Sequence, residues 1–348
     1  LAPSMLLRNP LRCTKSRFSI CGTLSLRLIG RLTFTLRFHV WSVSSMKEGY
    51  GYSLIAVASI LWGTLGVLGK MAFQYEITPT LLITLRLWIS SCTVFFIIIV
   101  FKRKLYKIKR RDIPFLVIFG LFPIALQRVA YFYALDFTTA TVAAMLYYTY
   151  PAIVAVMSVF LFKETITKKT VLAIVLTFLG ASFVVKIYET SQLIVNLPGI
   201  LFGLLSGVLF AVYVAMVKRL RSDYSSWTLV LYGDGIGAIV LTFITAFSLP
   251  LVTRFPVQLW LLVFTISWIP SLLGYFLYSH ALKYVEATKG SIVSIIEPVS
   301  AGLLSVVILA ETLEPLQLVG IVLALIGISL LFYRPNKKPT TTSNSHES

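Results

Sequence analysis

Long apolar runs follow one another along most of this 348-residue chain. A helix needs about 20 mainly apolar residues to cross a bilayer. Breaks in the apolar pattern divide residues 46–334 into ten segments of suitable length, at about 51–73, 80–101, 113–134, 138–162, 170–187, 196–217, 225–248, 256–282, 288–310 and 316–334. Charged residues make up only 13% of the chain, against about a quarter of a typical soluble domain. We therefore predict an all-α integral membrane protein with ten transmembrane helices, and the pattern excludes a water-soluble fold.

The charge of the chain is strongly basic, with 31 Lys and Arg against 13 Asp and Glu and a formal net charge of +18. Basic residues of membrane proteins concentrate in cytoplasmic loops. Here they lie mainly in the even-numbered connections between predicted helices, at Lys102, Arg103, Lys104, Lys107, Lys109, Arg110, Arg111, Lys163, Lys168, Lys169, Lys218, Arg219, Arg221 and Lys283. This alternation predicts that the N- and C-termini are both cytoplasmic. The cytoplasmic loops of a protein in the lipid bilayer then explain the excess of basic residues, and no nucleic acid partner is needed.

Two terminal stretches lie outside the predicted membrane region. Residues 1–45 contain seven basic residues and no acidic one, which is typical of an organelle targeting peptide. Their apolar residues from Leu24 to Val40 recur with a period of two, however, instead of the helical period that such a peptide needs. Because Met46 precedes a long apolar run, we interpret residues 1–45 as a basic extension translated from upstream sequence. A targeting segment and a basic arm on the membrane surface are the alternatives. Residues 335–348 form a polar cytoplasmic tail.

An internal repeat appears when the chain is compared with itself at an offset of 147 residues. The 60 positions from Pro123 to Ser182 contain 17 identities with the positions 147 residues later, where chance would give roughly one in ten. The matches include Pro123 with Pro270, Tyr131 with Tyr278, Pro151 with Pro298, Glu164 with Glu311 and Gly180 with Gly327. The chain therefore reads as two copies of a five-helix unit, residues 46–187 and 188–334.

The number of helices in each copy sets the orientation of the second copy. Because five is odd, the second unit must enter the membrane from the opposite side. Inverted repeats of this kind are typical of secondary transporters, whose substrate site lies near the midplane between the two copies. The alternative is a duplication retained only for stability.

Several short motifs of this sequence resemble those of the EamA family of the drug/metabolite transporter superfamily. They are Leu61-Trp62-Gly63 in the first helix, the stretch from Tyr131 to Ala134 leading to Ala140, Tyr150-Pro151, Phe162-Lys163-Glu164, Glu297-Pro298 and Ala310-Glu311. The resemblance covers about residues 50–332 in two copies. It implies a ten-helix transporter that works by alternating access, with helices 3, 4, 8 and 9 lining the central path. The superfamily handles many kinds of substrate, so the resemblance leaves the substrate open.

Four prolines fall within predicted helices in repeat-related pairs. Pro123 and Pro270 lie in helices 3 and 8, and Pro151 and Pro298 lie in helices 4 and 9. A proline inside a helix removes a backbone donor and can free a carbonyl toward a cavity. We predict that these four act as hinges, with packing kinks as the alternative.

Helices 4 and 9 carry the candidate substrate path. On helix 9, Ser294 and Glu297 share one face with small residues, and Tyr147 and Tyr150 take the matching positions on helix 4. We predict that the path is lined by Gln127, Tyr131, Tyr147, Tyr150, Tyr278, Ser294 and Glu297. Tyrosine rings attract cations, which suits an amine-bearing solute. The alternative is that the small residues only allow helices to pack closely.

Ionisable residues at membrane depth are costly and usually face the bundle interior or water. Glu297 precedes a proline and could bind a cation or cycle a proton, or it could bond to its own broken helix turn. Arg86 and Asp234 align at an offset of 148 and could form an ion pair across the repeat axis, with either a structural or a gating role. Arg128 is a further charged candidate, whereas Glu164 and Glu311 are expected to anchor helix ends.

Together these features favour a transporter of small organic metabolites, with export of amino acids or related amines as the leading hypothesis. Efflux of lipophilic cations or drugs and a non-transporting membrane scaffold are the alternatives. The chain lacks the residue clusters of an enzyme, so no catalytic residue is expected. Its three cysteines lack metal-site spacing, and neither a metal nor a cofactor is expected. The oligomeric state is not indicated, proton coupling is left open, and the plasma membrane is the expected location.

Overall fold

The computed structural model describes residues 23–28, 32–37, 43–101, 107–138, 140–189, 197–246, 252–309 and 312–332. The chain divides into two compact units, Leu1–Gly49 and Tyr50–Ser348. The first unit contains an antiparallel hairpin of strands β1 (Thr23–Leu28) and β2 (Leu32–Arg37). The period of two in this part of the sequence is therefore that of strands. The origin and role of residues 1–45 stay predictions.

The regular secondary structure of the second unit is helical in its described residues, and this unit has two related halves. The first half contains α1 (Val43–Phe73), α2 (Pro79–Phe101), α3 (Ile113–Phe119), α4 (Gln127–Phe137), α5 (Ala140–Tyr147), α6 (Tyr150–Phe162) and α7 (Lys168–Val184). The second contains α8 (Leu197–Leu220), α9 (Ser226–Ile244), α10 (Val257–Ile266), α11 (Gly274–Ala281), α12 (Ala287–Val293), α13 (Ile296–Leu309) and α14 (Pro315–Phe332). A π-helical segment joins α3 to α4 at Gly120–Leu126, and another joins α10 to α11 at Ser267–Leu273.

Eight stretches of the described chain are helical, long and apolar enough to cross a membrane. They are Met46–Phe73, Pro79–Phe101, Arg110–Ala134, Val142–Phe162, Leu197–Leu220, Ser226–Ile244, Val257–Ala281 and Ala287–Ile308. The remaining two predicted spans correspond to α7, of 17 residues, and α14, of 18 residues. At 1.5 Å per residue, helices of that length extend about 26 Å, slightly less than a typical hydrocarbon core. The structure thus gives eight candidate spans, and ten spans remain a prediction.

The 147-residue repeat is visible in the secondary structure. Adding 147 to Gly120–Leu126 gives Ser267–Leu273, so the two π-helical segments correspond residue for residue. The same shift places α7 on α14 to within one residue. A π-helical turn carries an extra residue and disturbs the regular hydrogen-bond ladder. Pro123 and Pro270 lie at the centres of these segments, where their missing backbone donors are tolerated.

The other proline pair differs from the sequence prediction. Predicted helices 4 and 9 are each broken in two, at residues 148–149 between α5 and α6 and at residues 294–295 between α12 and α13. Pro151 is the second residue of α6, and Pro298 is the third of α13. Proline is favoured in the first turn of a helix because the backbone N–H groups there have no helical partner. Pro151 and Pro298 therefore begin new helices and do not bend continuous ones.

Candidate functional site

A cavity of about 570 Å³ lies between residues of both halves of the second unit. Its polar wall consists of Arg86, Gln127, Arg128, Tyr131, Tyr147, Tyr148, Tyr275 and Glu297. Apolar side chains of α1 and α2 form much of the rest, with Phe73 and Pro79 near the α1–α2 turn. Small-molecule sites typically have volumes of about 300–1,000 Å³ and combine an apolar wall with a few polar groups.

The break between α12 and α13 places Glu297 in this cavity. Glu297 is the second residue of α13, where the helix dipole favours a negative charge. Its side chain is half-buried and faces the cavity. Among the described residues, no hydrogen bond or ion pair joins this carboxylate to another side chain. A carboxylate placed in this way can take up a cationic group or a proton.

Gly63 allows α13 to approach α1 at this point. A Cβ at Gly63 would lie 2.9 Å from the backbone nitrogen of Ala301 and 3.0 Å from the carbonyl oxygen of Glu297. Neighbouring Trp62 lines the cavity and packs on Tyr275, with ring centroids 4.9 Å apart. The Leu61-Trp62-Gly63 motif thus supplies a close helix contact and one wall of the site.

Four of the seven predicted path residues line the cavity, namely Gln127, Tyr131, Tyr147 and Glu297. The rings of Tyr131 and Tyr147 meet edge to face, with centroids 5.6 Å apart. The structure therefore brings two tyrosines, an amide and a carboxylate to one site. Their role in a substrate path remains a prediction.

The other three predicted path residues lie in a packed layer next to the cavity. Tyr150, Tyr278 and Ser294 are fully buried, and Tyr150 Oη lies 2.9 Å from Ser294 Oγ. Tyr278 also packs on Trp62, with ring centroids 5.0 Å apart. None of the three lines the cavity in this conformation. Their predicted contact with substrate is therefore not supported by this conformation.

Arg128 and Tyr275 make a contact that the sequence analysis missed. The guanidinium carbon of Arg128 lies 5.1 Å from the Tyr275 ring centroid, in a cation–π arrangement. The two residues are 147 positions apart, so they are equivalent in the two halves. Equivalent residues of two related copies meet only near the axis that relates the copies. The repeat offset relates every pair of residues 147 positions apart, so it did not show which pair meets on the axis. The contact places the cavity at the repeat interface.

The predicted ion pair between Arg86 and Asp234 is not formed in this conformation. Arg86 lines the cavity and donates from Nε to Ser271 Oγ at 2.9 Å. Asp234 is buried and accepts a 2.6 Å hydrogen bond from Ser90 Oγ through Oδ2. Each charged group thus has a hydroxyl as its direct partner, and no ion pair joins the two in the described residues.

Glu164 joins the two halves at the end of α6. Its Oε1 accepts from the backbone N–H of Ala287 at 2.8 Å, and its Oε2 accepts from Thr288 at 3.1 Å. These are N–H groups of the first turn of α12, where a carboxylate is favoured. The expected helix-end role of Glu164 is confirmed, whereas Glu311 lies outside the described residues.

The comparison with known proteins agrees with this architecture. The model of the EamA-like transporter family matches residues 49–186 and 197–333. An uncharacterized transporter of Archaeoglobus fulgidus is 28% identical over 280 residues, which cover 80% of this chain and 95% of that protein. The uncharacterized transporter YyaM of Bacillus subtilis is 24% identical and is covered to 93% by the match, which spans 81% of this chain.

A solved crystal structure shares the fold. Its TM-score to this chain is 0.67, with 18% sequence identity, and the match covers 82% of this chain and 96% of that one. The family model covers most of the chain in two copies, as the internal repeat requires. The chain therefore belongs to the EamA-like transporter family of multi-pass integral membrane proteins.

Proposed function

We propose that the protein is a secondary transporter that exports amino acids or related amines by alternating access. In this proposal ten transmembrane helices form two inverted five-helix repeats, both termini are cytoplasmic, and the protein lies in the plasma membrane. The observation that carries the proposal is the cavity at the repeat interface, which holds the unpaired carboxylate of Glu297 among tyrosine rings. Secondary transporters place their substrate at this kind of interface.

The two ends of the cavity differ along the proposed direction of transport. It extends toward Phe73 and Pro79 at the α1–α2 turn, while the layer of Tyr150, Tyr278 and Ser294 lies on its other side. With basic loops in the cytoplasm, the α1–α2 turn is extracytoplasmic. The conformation is then open outward, and the Glu164 contact with α12 belongs to its closed cytoplasmic side.

Glu297 is the proposed coupling group. A carboxylate that faces a cavity at membrane depth can exchange a proton for a cationic substrate. The surrounding tyrosines supply hydroxyls and cation-attracting ring faces. The four repeat-related prolines remain the proposed hinges, two within π-helical segments and two at helix starts.

The test is uptake and counterflow of a labelled amino acid panel in proteoliposomes that contain the full chain, with and without a pH gradient. We expect saturable flux, and we expect Glu297→Gln to remove its response to pH. Glu48→Gln is the matched control, because Glu48 is exposed at the start of α1. Equal flux and equal pH response in the native protein and Glu297→Gln would overturn the coupling role. Absence of flux for every compound would overturn amino acid transport.

Efflux of lipophilic cations is the second candidate. The aromatic wall that includes Trp62 and Tyr147 would suit such solutes, and Glu297 would attract their charge. Arg86 and Arg128 border the same cavity and oppose a purely cationic solute. Saturable flux of a quaternary ammonium dye in the same proteoliposomes, without amino acid flux, would favour this alternative. A non-transporting scaffold would show neither flux.

A further inference from the structure

Two guanidinium groups line the same cavity as Glu297. Arg86 on α2 and Arg128 on α4 both border it, and Arg128 is only 8% exposed. The two positive charges lie within electrostatic range of each other. Like charges in a water-poor interior are costly unless an anion balances them. Both guanidinium groups border the cavity, so they can bind a negative group of a ligand there.

Neither guanidinium has a direct carboxylate partner in the part of the chain that the structure describes. Arg86 uses Nε to bond Ser271, and Arg128 uses Nη1 to bond the Ile124 carbonyl at 2.7 Å. A guanidinium has five N–H donors, so both side chains keep donors for a ligand. Asp234 is within electrostatic range of both, but it is held by Ser90 and does not line the cavity.

Glu297 forms a separate, negative region of the same wall. It lines the cavity together with Tyr131 and Tyr147. Among the described residues, no ion pair joins it to Arg86 or Arg128, so the site holds opposite charges apart. A ligand that has both charges can satisfy both regions at once.

We propose that Arg86 and Arg128 bind the carboxylate of a substrate whose ammonium group faces Glu297. The protein then selects compounds that carry both charges over amines that lack the acid group. This inference rests on the proposed transport function and names its substrate class, a zwitterion with an apolar or aromatic side chain against Trp62 and Tyr147. The planar guanidinium fork matches a carboxylate in two-point contact.

The test compares matched ligands that differ in one charged group. One set is L-phenylalanine, phenethylamine and 3-phenylpropionate, and the other is L-leucine, 3-methylbutylamine and 4-methylpentanoate. Binding to the purified full chain in detergent is measured by calorimetry. The variants are Arg86→Gln, Arg128→Gln and Glu297→Gln. Arg219→Gln is the control, since Arg219 is exposed at the end of α8.

We expect the amino acid of a set to bind at least about tenfold more tightly than its amine, because charge-assisted hydrogen bonds to the acid group are lost in the amine. Arg128→Gln and Arg86→Gln should each weaken the amino acid and the acid by about tenfold and leave the amine unchanged. Glu297→Gln should weaken the amino acid and the amine, and spare the acid. Arg219→Gln should change none of them.

Equal binding of amine and amino acid by the native protein would overturn the inference. So would equal losses for all three ligands in the arginine variants, or no binding of any carboxylate compound in either set. Arg128→Lys keeps the charge without the fork, and it serves if Arg128→Gln gives no folded protein. If the protein binds the amino acid more tightly than the amine but shows no flux in proteoliposomes, the transport function is rejected and the binding inference stands. If it shows flux but no such preference, the binding inference is rejected and the transport function stands.

Discussion

Glu164 contributes two hydrogen bonds that connect one half of the protein to the other. Both of its carboxylate oxygens accept backbone N–H groups at the start of α12. Charge-assisted bonds of this kind are roughly twice as strong as neutral ones. In the proposed alternating-access cycle, opening on this side would break or exchange these bonds, and we therefore propose that Glu164 holds this side closed.

Replacement of the Glu164 carboxylate should make the proposed closed side of the protein more accessible to solvent. We expect Glu164→Gln to increase the rate at which a cysteine at the buried position Ser294 is labelled by a small maleimide, in a chain whose Cys13, Cys21 and Cys92 are serine. Glu286→Gln is the control, because its ion pair with Lys289 is partly exposed and such pairs contribute little. Unchanged labelling in Glu164→Gln would rule out this role of Glu164.

The carboxylate of Glu314 has a different kind of contact, on the loop before α14. Lys186 Nζ donates to its Oε1 at 2.6 Å, and Tyr188 Oη donates to its Oε2 at 2.7 Å. The bond from Lys186, followed by that from Tyr188, lowers the pKa of Glu314 below its ordinary value. A carboxyl group with a lowered folded pKa adds stability above its unfolded pKa of about 4.3, and loses that contribution as pH falls through the folded pKa.

The lowered pKa of Glu314 predicts how the stability of the protein depends on pH. We expect Lys186→Met to lower the melting temperature at pH 7. This difference from the native protein should disappear as pH falls below the unfolded pKa of about 4.3 and through the lowered pKa of native Glu314. The measurement is thermal unfolding in detergent across that range, with the exposed Lys107→Met as the control. A native-to-variant difference that grows on acidification would contradict the assignment.

The helices α7 and α14 approach each other closely through glycines that the repeat relates. A Cβ at Gly180 would lie 2.5 Å from the backbone nitrogen of Ala324, and one at Gly327 would lie 3.0 Å from the Ala173 carbonyl oxygen. Close backbone approach through small residues is a common way for helices to associate in membranes. This contact explains why Gly180 and Gly327 are identical in the two copies.

A methyl group at this contact should force the helices apart. We expect Gly180→Ala to destabilise the protein by about 1–3 kcal/mol, the usual range for overpacking, and we expect Gly180→Ala with Gly327→Ala to cost more. The measurement is thermal unfolding in detergent. Gly49→Ala is the control, since a Cβ at Gly49 would meet no atom within 4 Å. Equal melting temperatures for Gly180→Ala and Gly49→Ala would refute the close contact.

The positions of the helices were predictable because apolar runs and their polar breaks are local features. The breaks inside predicted helices 4 and 9 were not predictable, since a proline can either bend a helix or begin one. Pro151 and Pro298 do the latter. In the site, the position of Glu297 before a proline marked it correctly as a cavity residue. The Arg128–Tyr275 contact depends on how the two copies face each other, which no local pattern records.

Across the entire molecule, the membrane arrangement depends on whether the short helices α7 and α14 cross the bilayer. Apart from Lys168 and Lys169 at the start of α7, their residues are mainly apolar. Small tilts or local thinning accommodate helices slightly shorter than the bilayer. The basic loops agree with ten crossings and would not alternate with eight.

Topology can be measured with single cysteines in a chain that lacks its own three. We expect a membrane-impermeant maleimide to label cysteine at Gln74 and Glu189 in intact cells, and to label cysteine at Thr165 only after the cells are opened. Gln74 follows α1, and Thr165 and Glu189 lie on the two sides of α7. Labelling of Thr165 and Glu189 from the same side would show that α7 does not span the membrane.

The contact between Arg128 and Tyr275 also bears on how such a chain arose. A dimer of two identical half-length proteins would bring the same residue together with itself on the axis, either two arginines or two tyrosines. Two guanidinium groups at that distance would repel each other. The arginine on tyrosine seen here requires two copies that have diverged in sequence. The two halves of the duplicated protein therefore differ at the residues that meet on the axis, and they are no longer interchangeable.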